Sequence, residues 1–183
     1  AVFNTPNVFF IQNNHYAISV PLSRQTASRN IATKALGSGM PGVLVDGNDV
    51  FAVLAASREA VQYARESGPV LIEAFTFRMG PHTTSDDPTK YRSDEEVRLW
   101  QRKDPIMRLE KYLMKENLMT EDAMKSMTES LEQDVMDACK SIEHTSDTGI
   151  EEIFSYHFEN LTPQLKEQLE DYQAFLKGAS HAE

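Results

Sequence analysis

A histidine, the hydroxyl run Thr83-Thr84-Ser85, two carboxylates and three cations crowd into one short stretch, Arg78-Met79-Gly80-Pro81-His82-Thr83-Thr84-Ser85-Asp86-Asp87-Pro88-Thr89-Lys90-Tyr91-Arg92. His82 is suited to donate a hydrogen bond to an anionic oxygen, and Arg78, Lys90 and Arg92 add positive charge. Asp86 and Asp87 have two readings. They bind a metal, or, more plainly, they pair with Arg78, Arg92 or backbone amides and hold the loop in shape. No nucleophile elbow accompanies Ser85, Asp86 and His82, so they are not a hydrolase triad, and no glycine-rich phosphate loop occurs. A second cluster, Gln12-Asn13-Asn14-His15-Tyr16-Ala17-Ile18-Ser19, offers side-chain amide oxygens of the kind a magnesium ion takes. Taken alone, Asn13-Asn14 also reads as an Asx turn, and His15 as a surface turn residue.

Both clusters need a scaffold. Asn7–Gln12 is a short apolar run, as in a strand buried on both faces, and Ser28–Leu36 reads as a helix ended by Gly37 and Gly39. Val43-Leu44-Val45 is a further strand. A helix capped by Asn48 or Asp49 then runs to about Glu66, with Val50, Val53, Leu54, Val61 and Ala64 on one side. Ser67-Gly68-Pro69 stops it before the apolar strand Val70–Phe77. Strands alternating with helices predict an α/β fold, a parallel sheet with helical crossovers. Ligands of such sheets lie beyond the strands' C-terminal ends, where both clusters fall. Gly80, Pro81 and Pro88 keep the second cluster a loop until the helix start at Ser93-Asp94-Glu95-Glu96.

The rest is helical. Helices are expected from Pro105, from about Thr120 to Ile142, over Ile150–Phe158 and over Pro163–Leu176, with a break at Thr145–Gly149 and a frayed tail at Gly178–Glu183. This gives an α/β region at 1–93 and a helical C-terminal region at 94–183. Eight methionines, five of them between Met107 and Met127, read as gap-fillers of a helical core. His144, His157 and His181 read as surface residues.

With 183 residues, 40% hydrophobic and 25% charged, the composition is that of a globular protein. No apolar stretch is long enough to span a membrane, and Ala1–Pro6 lacks the pattern of a signal peptide. The single Cys139 rules out an internal disulfide. Of the net charge of −10, residues 1–93 contribute 8 basic against 7 acidic side chains and residues 94–183 contribute 10 against 21. That imbalance argues against nucleic acid as a partner and gives the second half a solvated acidic surface; a basic protein partner docking there is the alternative.

Gln12–Ser19, Val45-Asp46-Gly47-Asn48-Asp49-Val50, Gly80–Arg92 and Lys103-Asp104-Pro105-Ile106, in this order, resemble the alpha subunit of thiamine-diphosphate-dependent 2-oxoacid dehydrogenases. The resemblance implies the thiamine-diphosphate-binding fold and oxidative decarboxylation of a 2-oxoacid, with acyl transfer to a lipoyl group. It also implies thiamine diphosphate and Mg2+ as cofactors. The implied partners are a beta subunit, in a heterotetramer of two alpha and two beta chains, and a lipoyl-bearing acyltransferase core. It places Asn14 and the Tyr16 carbonyl on the metal, Gln12 and Ile18 beside the cofactor, and His82 on its terminal phosphate. Gln12 stands where the family often has arginine, and Thr83 where animal branched-chain enzymes carry a phosphorylated serine.

Ser85-Asp86-Asp87 lacks an extra glycine common in bacterial pyruvate-type subunits, which favours the branched-chain type acting on 2-oxoisovalerate; pyruvate or acetoin dehydrogenase is the alternative. A non-enzymatic acidic interaction module is a further alternative. The compartment implied is the cytoplasm of a prokaryote or the mitochondrial matrix of a eukaryote. The family's Gly-Asp-Gly motif does not precede Asn13. The expectation is therefore a C-terminal part of a longer subunit, unable by itself to hold the cofactor tightly.

Overall fold

A computed structural model describes residues 1–143 and 149–179. The expectations for His144, His181, the break at 145–148 and the last residues of the tail lie outside them. The chain forms two compact units, Ala1–Glu121 and Asp122–Glu183.

The first unit is built on β1 (Val8–Asn13), a ribbon of β2 (Tyr16–Ala17) and β3 (Val20–Pro21), the single turns α1 (Leu22–Gln25) and α2 (Lys34–Gly37), β4 (Gly42–Asp46), α3 (Val50–Ser67) and β5 (Val70–Phe75). The main sheet has the order β1-β5-β4 and is parallel throughout. This is the α/β architecture that the alternation of elements predicts. The register aligns Asn13 and Asp46 with Phe75, so all three strands end level at their C-terminal edge. Beyond that edge follow the loop 78–92, α4 (Asp94–Gln101) and α5 (Pro105–Lys115).

The helix starts follow the capping residues. Asp49 accepts the N–H groups of Phe51 and Ala52 at 3.0 and 3.1 Å, Ser93 that of Glu96 at 3.2 Å, and Asp104 those of Ile106 and Met107 at 2.9 and 3.0 Å. Each satisfies donors that a helix leaves unpaired. Asp49 also meets Arg108 of α5 at 2.7 Å. Asp49→Ala should therefore lower stability by about 1–2 kcal/mol in urea unfolding, with Asp49→Asn losing less because an amide oxygen still caps.

Several expectations are corrected. The helix over Ser28–Leu36 does not form; only Lys34–Gly37 turns. Side chains take its backbone groups instead: Ser28 Oγ donates to the Asn30 carbonyl, Asn30 Oδ1 accepts from Thr33 N–H, and the Ala32 N–H goes to Glu73. The strand buried on both faces is β5, not β1. Phe9 and Phe10 of β1 are half exposed, because β1 pairs on one side only. On α3 the side against the sheet carries Ala60 and Ala64, which pack with Val70 and Ile72, whereas Val50, Leu54 and Val61 face outward. Small side chains let the helix lie close to the strands. A Cβ at Gly42 would run into the Ala32 carbonyl, so the loop before α2 also sits directly on β4.

The second unit holds α6 (Glu121–Glu143), α7 (Ile150–Ser155) and α8 (Pro163–Ala179). The methionines do not fill a helical core among the described residues. Met107, Met114 and Met127 are exposed, and neither α5 nor α6 buries a residue. Gap-filling needs a covering layer, and the stripe Met127, Leu131, Val135, Met136 is exposed, with none among the described residues. His157 is exposed, as expected. No described helix is long and apolar enough to cross a membrane.

Candidate functional site

At the end of β1 the backbone reverses in a tight turn. Asn13 Oδ1 accepts the His15 N–H at 3.1 Å and Asn14 Oδ1 accepts the Tyr16 N–H at 3.2 Å, two successive Asx turns. His15 takes φ 72° and Ile18 φ 56°, the left-handed region that side chains with a Cβ rarely enter. The turn is held from β5 and its continuation, since Thr76 N–H donates to the Asn13 carbonyl (2.9 Å) and Arg78 N–H to that of Asn14 (3.4 Å).

Leu22 N–H donates to the His15 carbonyl at 2.8 Å. Tyr16 and its partner Pro21 therefore oppose each other at a position without ladder bonds, and the Tyr16 carbonyl points away from the ribbon. Asn14 Oδ1 keeps a free lone pair beside its one bond. These two hard oxygens have the donor chemistry of a magnesium site. They are two of the six such a shell requires, and no group of three His, Cys, Asp or Glu suited to a metal exists among the described residues.

The loop 78–92 is zipped shut by its own side chains. Asp86 Oδ2 accepts the His82 N–H at 2.8 Å and the Tyr91 hydroxyl at 2.5 Å. Arg92 donates to the carbonyls of Arg78, Met79 and Gly80 and lies over the Phe77 ring. Asp87 accepts from Thr89 and pairs loosely with Lys90. The two aspartates are thus loop scaffolding, through backbone amides and hydroxyls rather than through the arginines. The His82 N–H holds the Asp86 carboxyl below the usual range, with the Tyr91 hydroxyl second. Burial, then the bond to Asp86, raises the Tyr91 phenol.

Arg78 joins the two clusters. Its guanidinium donates to the Ile18 carbonyl at 2.6 Å and to the Tyr91 hydroxyl at 3.0 Å and lies 5.9 Å from the Tyr16 ring centre. Asn14, Tyr16, Ile18 and the loop carrying His82 are therefore one connected edge. His82 itself is exposed, as are Gln12 and Ile18, whereas Asn14 and Tyr16 are half buried.

Tyr16 donates to Glu96 Oε2 at 2.9 Å, tying the turn to α4. Burial, and then the Glu96 carboxylate, push its phenol up to about 12. A raised phenol contributes stability in full below the unfolded value of about 10 and loses it as pH rises toward the folded value. In alkaline absorbance titration Tyr16→Phe should remove a tyrosine that ionises at about 12, and it should flatten the loss of stability between those limits. Loss of a tyrosine that ionises at the ordinary value of about 10 instead would exclude the Tyr16–Glu96 bond.

Sequence reasoning missed other residues here. His15 is no surface residue: its ring lies 4.3 Å from Phe75 and 5.0 Å from Trp100, and burial lowers its basicity. Arg108 reaches Asp46 Oδ2 (2.9 Å), Asp49 Oδ2 and the Asn48 carbonyl. Burial of Asp46 opposes its ionisation, but Arg108 and the Asn48 N–H outweigh this and hold its carboxyl low. Asn48, buried, accepts the Thr76 hydroxyl at 2.8 Å. Glu73 on β5 is wholly buried and bonded to Asn13. Its signal in the sequence was a lone charge inside an apolar strand, which must find partners when buried.

A parallel sheet whose C-terminal edge carries an Asn-Asn turn latched to a polar loop matches one family over most of the chain. The family model described as dehydrogenase E1 component covers residues 1–151, and the chain belongs to that family. The chain is 46% identical over 177 residues to the 3-methyl-2-oxobutanoate dehydrogenase subunit alpha of Mycobacterium tuberculosis (strain ATCC 25618 / H37Rv), covering 96% of this chain and 48% of the relative. It is 43% identical over 181 residues to the pyruvate dehydrogenase E1 component subunit alpha of Acholeplasma laidlawii, covering 97% and 52%. The same subunit of Staphylococcus aureus (strain Mu50 / ATCC 700699) is 41% identical over 175 residues, covering 94% and 47%. The chain spans about half the length of these relatives. The resemblance carried by the motifs is borne out at the level of the family.

Proposed function

We propose that the chain forms the diphosphate-holding half of an E1 active site. It would act as part of the alpha subunit of a thiamine-diphosphate-dependent 2-oxoacid dehydrogenase. The observation that carries this reading is the Arg78 latch, which brings the Asn14–Ile18 turn and the His82 loop to one sheet edge. In this reading Asn14 Oδ1 and the Tyr16 carbonyl hold Mg2+, Gln12 and Ile18 flank the cofactor, and His82 donates to its terminal phosphate. Thiamine diphosphate, when bound, supplies the nucleophilic carbon and the electron sink for decarboxylating a 2-oxoacid. The protein's part is to anchor, orient and shield. A beta subunit and a lipoyl-bearing acyltransferase core complete the reaction, and the remaining metal ligands come from outside this chain.

The substrate proposed is a branched-chain 2-oxoacid, 2-oxoisovalerate. The Ser85-Asp86-Asp87 segment supports it, and the identities to the branched-chain and pyruvate relatives, 46% and 43%, are too close to decide. Comparing turnover on 2-oxoisovalerate and pyruvate in the assembled enzyme separates the two.

Asn14→Ala should abolish measurable magnesium-dependent binding of thiamine diphosphate to the assembled enzyme in calorimetry. His82→Ala should raise the Kd about tenfold or more, the weight of one charge-assisted hydrogen bond. Unchanged binding in both variants would sink the assignment.

A further inference from the structure

We propose that Glu73 is a positioning residue of this site: its buried carboxylate locks the Asn13 amide and thereby fixes the turn that presents Asn14 and Tyr16. The proposal rests on the reading of that turn as the metal and cofactor site. Glu73 sits in the centre of β5, between Ile11 of β1 and Leu44 of β4, with 0% of its surface exposed. A carboxylate there is costly, and Val70, Leu71, Ile72 and Ala74 around it show that the strand itself asks for apolar residues. Among the described residues no lysine or arginine pairs with it. Two N–H donors meet it: Asn13 Nδ2 on Oε1 at 2.6 Å and the Ala32 backbone N–H on Oε2 at 2.7 Å.

The polarity of this arrangement is one-directional. The His15 N–H donates to Asn13 Oδ1, so the amide nitrogen of Asn13 must face the other way, and there it meets an acceptor-only group. The amide cannot turn over without setting its NH2 against the His15 N–H. His15 is thereby kept at φ 72°, which sets the direction of Asn14 on one side and Tyr16 on the other. Oε2 pins the loop before α2 to the same carboxylate through Ala32.

This polarity makes a reciprocal exchange informative. In Glu73→Gln one carboxylate oxygen becomes an NH2, which then faces either Asn13 Nδ2 or the Ala32 N–H, and one donor pair is left opposed. In Asn13→Asp two carboxylates face each other. In the double variant Glu73→Gln/Asn13→Asp every donor regains an acceptor. The introduced glutamine accepts from Ala32 and donates to the introduced aspartate, whose other oxygen accepts from His15. Net charge is unchanged.

The test measures the Kd of thiamine diphosphate with magnesium in the assembled enzyme, beside hydrogen exchange of the 13–17 segment without cofactor. Each single variant should bind about tenfold or more weakly, the weight of one lost buried hydrogen bond, and should lose exchange protection in the turn. The double variant should return to within about threefold on both readouts. Restored stability with Kd still raised would make Glu73 merely structural and overturn the proposal. Folded single variants with unchanged Kd and protection would overturn it, as would a double variant that fails to fold or stays as weak as the singles. If the wild type binds no thiamine diphosphate, the functional reading fails and the proposal with it; the exchange arm still reports whether the clamp itself exists.

Discussion

Arg78→Ala is expected to part the two halves of the site while leaving the sheet folded. The arginine hydrogen-bonds to both, reaching the Ile18 carbonyl in the turn and the Tyr91 hydroxyl in the loop, where the Tyr16 and Tyr91 rings also meet. Truncation leaves the Arg78 N–H to Asn14 bond and the Arg92 clasp in place, so neither segment unfolds by itself. What is lost is their mutual alignment. Hydrogen bonds from a charged donor are among the stronger ones, and losing this pair should raise the opened population of the loop about tenfold or more. Hydrogen exchange should show residues 78–92 deprotected with β5 unchanged. Trp100, stacked on Phe77 with ring centres 5.4 Å apart, should keep its fluorescence. Affinity for thiamine diphosphate should fall alongside. Arg78→Lys should rescue in part, since a single nitrogen, Nη2, serves both acceptors and an ammonium, though on a shorter stem, also carries several donors. Full protection of the loop in Arg78→Ala would show that Asp86 and Arg92 alone hold it.

What the sequence revealed, and what it hid, follows the range of the interactions. Asp49 was legible as a cap, and the helix starts at Ser93 and Pro105 were legible too, because a cap bonds within three residues. The loop 78–92 was legible through Gly80, Pro81 and Pro88, and its aspartates as scaffolding, because Asp86 closes onto His82 and Tyr91 nearby. Asn13–Glu73, Arg78–Ile18, Tyr16–Glu96 and Arg108–Asp46 join residues 60–80 positions apart by number, and no local pattern announces them. The failed helix at Ser28–Leu36 combines both ranges: Ser28 and Asn30 compete locally for its backbone, and Glu73 takes the Ala32 N–H from afar. The outward Val50, Leu54 and Val61 of α3 were misread because hydrophobicity was weighed above size. Alanine faces the sheet where close approach is needed.

The buried carboxylate also sets the largest expected change in stability. Exchanging a buried charged group for an apolar one often costs little when its partners change with it. In Glu73→Leu they do not change. The leucine relieves the burial of a charge, but it leaves Asn13 Nδ2 and the Ala32 N–H facing hydrocarbon. Both lie where water cannot reach, Asn13 at 5% and Ala32 at 4% exposure. Each orphaned donor costs about 1–3 kcal/mol, so the loss should be about 2–6 kcal/mol. The effect should concentrate in the first unit, where Trp100 reports unfolding against His15, Phe75 and Phe77. Urea unfolding followed at Trp100 should move to lower denaturant, while far-ultraviolet dichroism, weighted by α6 and α8, should move less. Ile72→Ala, the neighbouring position of the same strand and also 0% exposed, gives the comparison for a pure packing loss of about 2–5 kcal/mol. A Glu73→Leu variant as stable as the wild type would mean that the two donors find other acceptors and that Glu73 is dispensable to the fold.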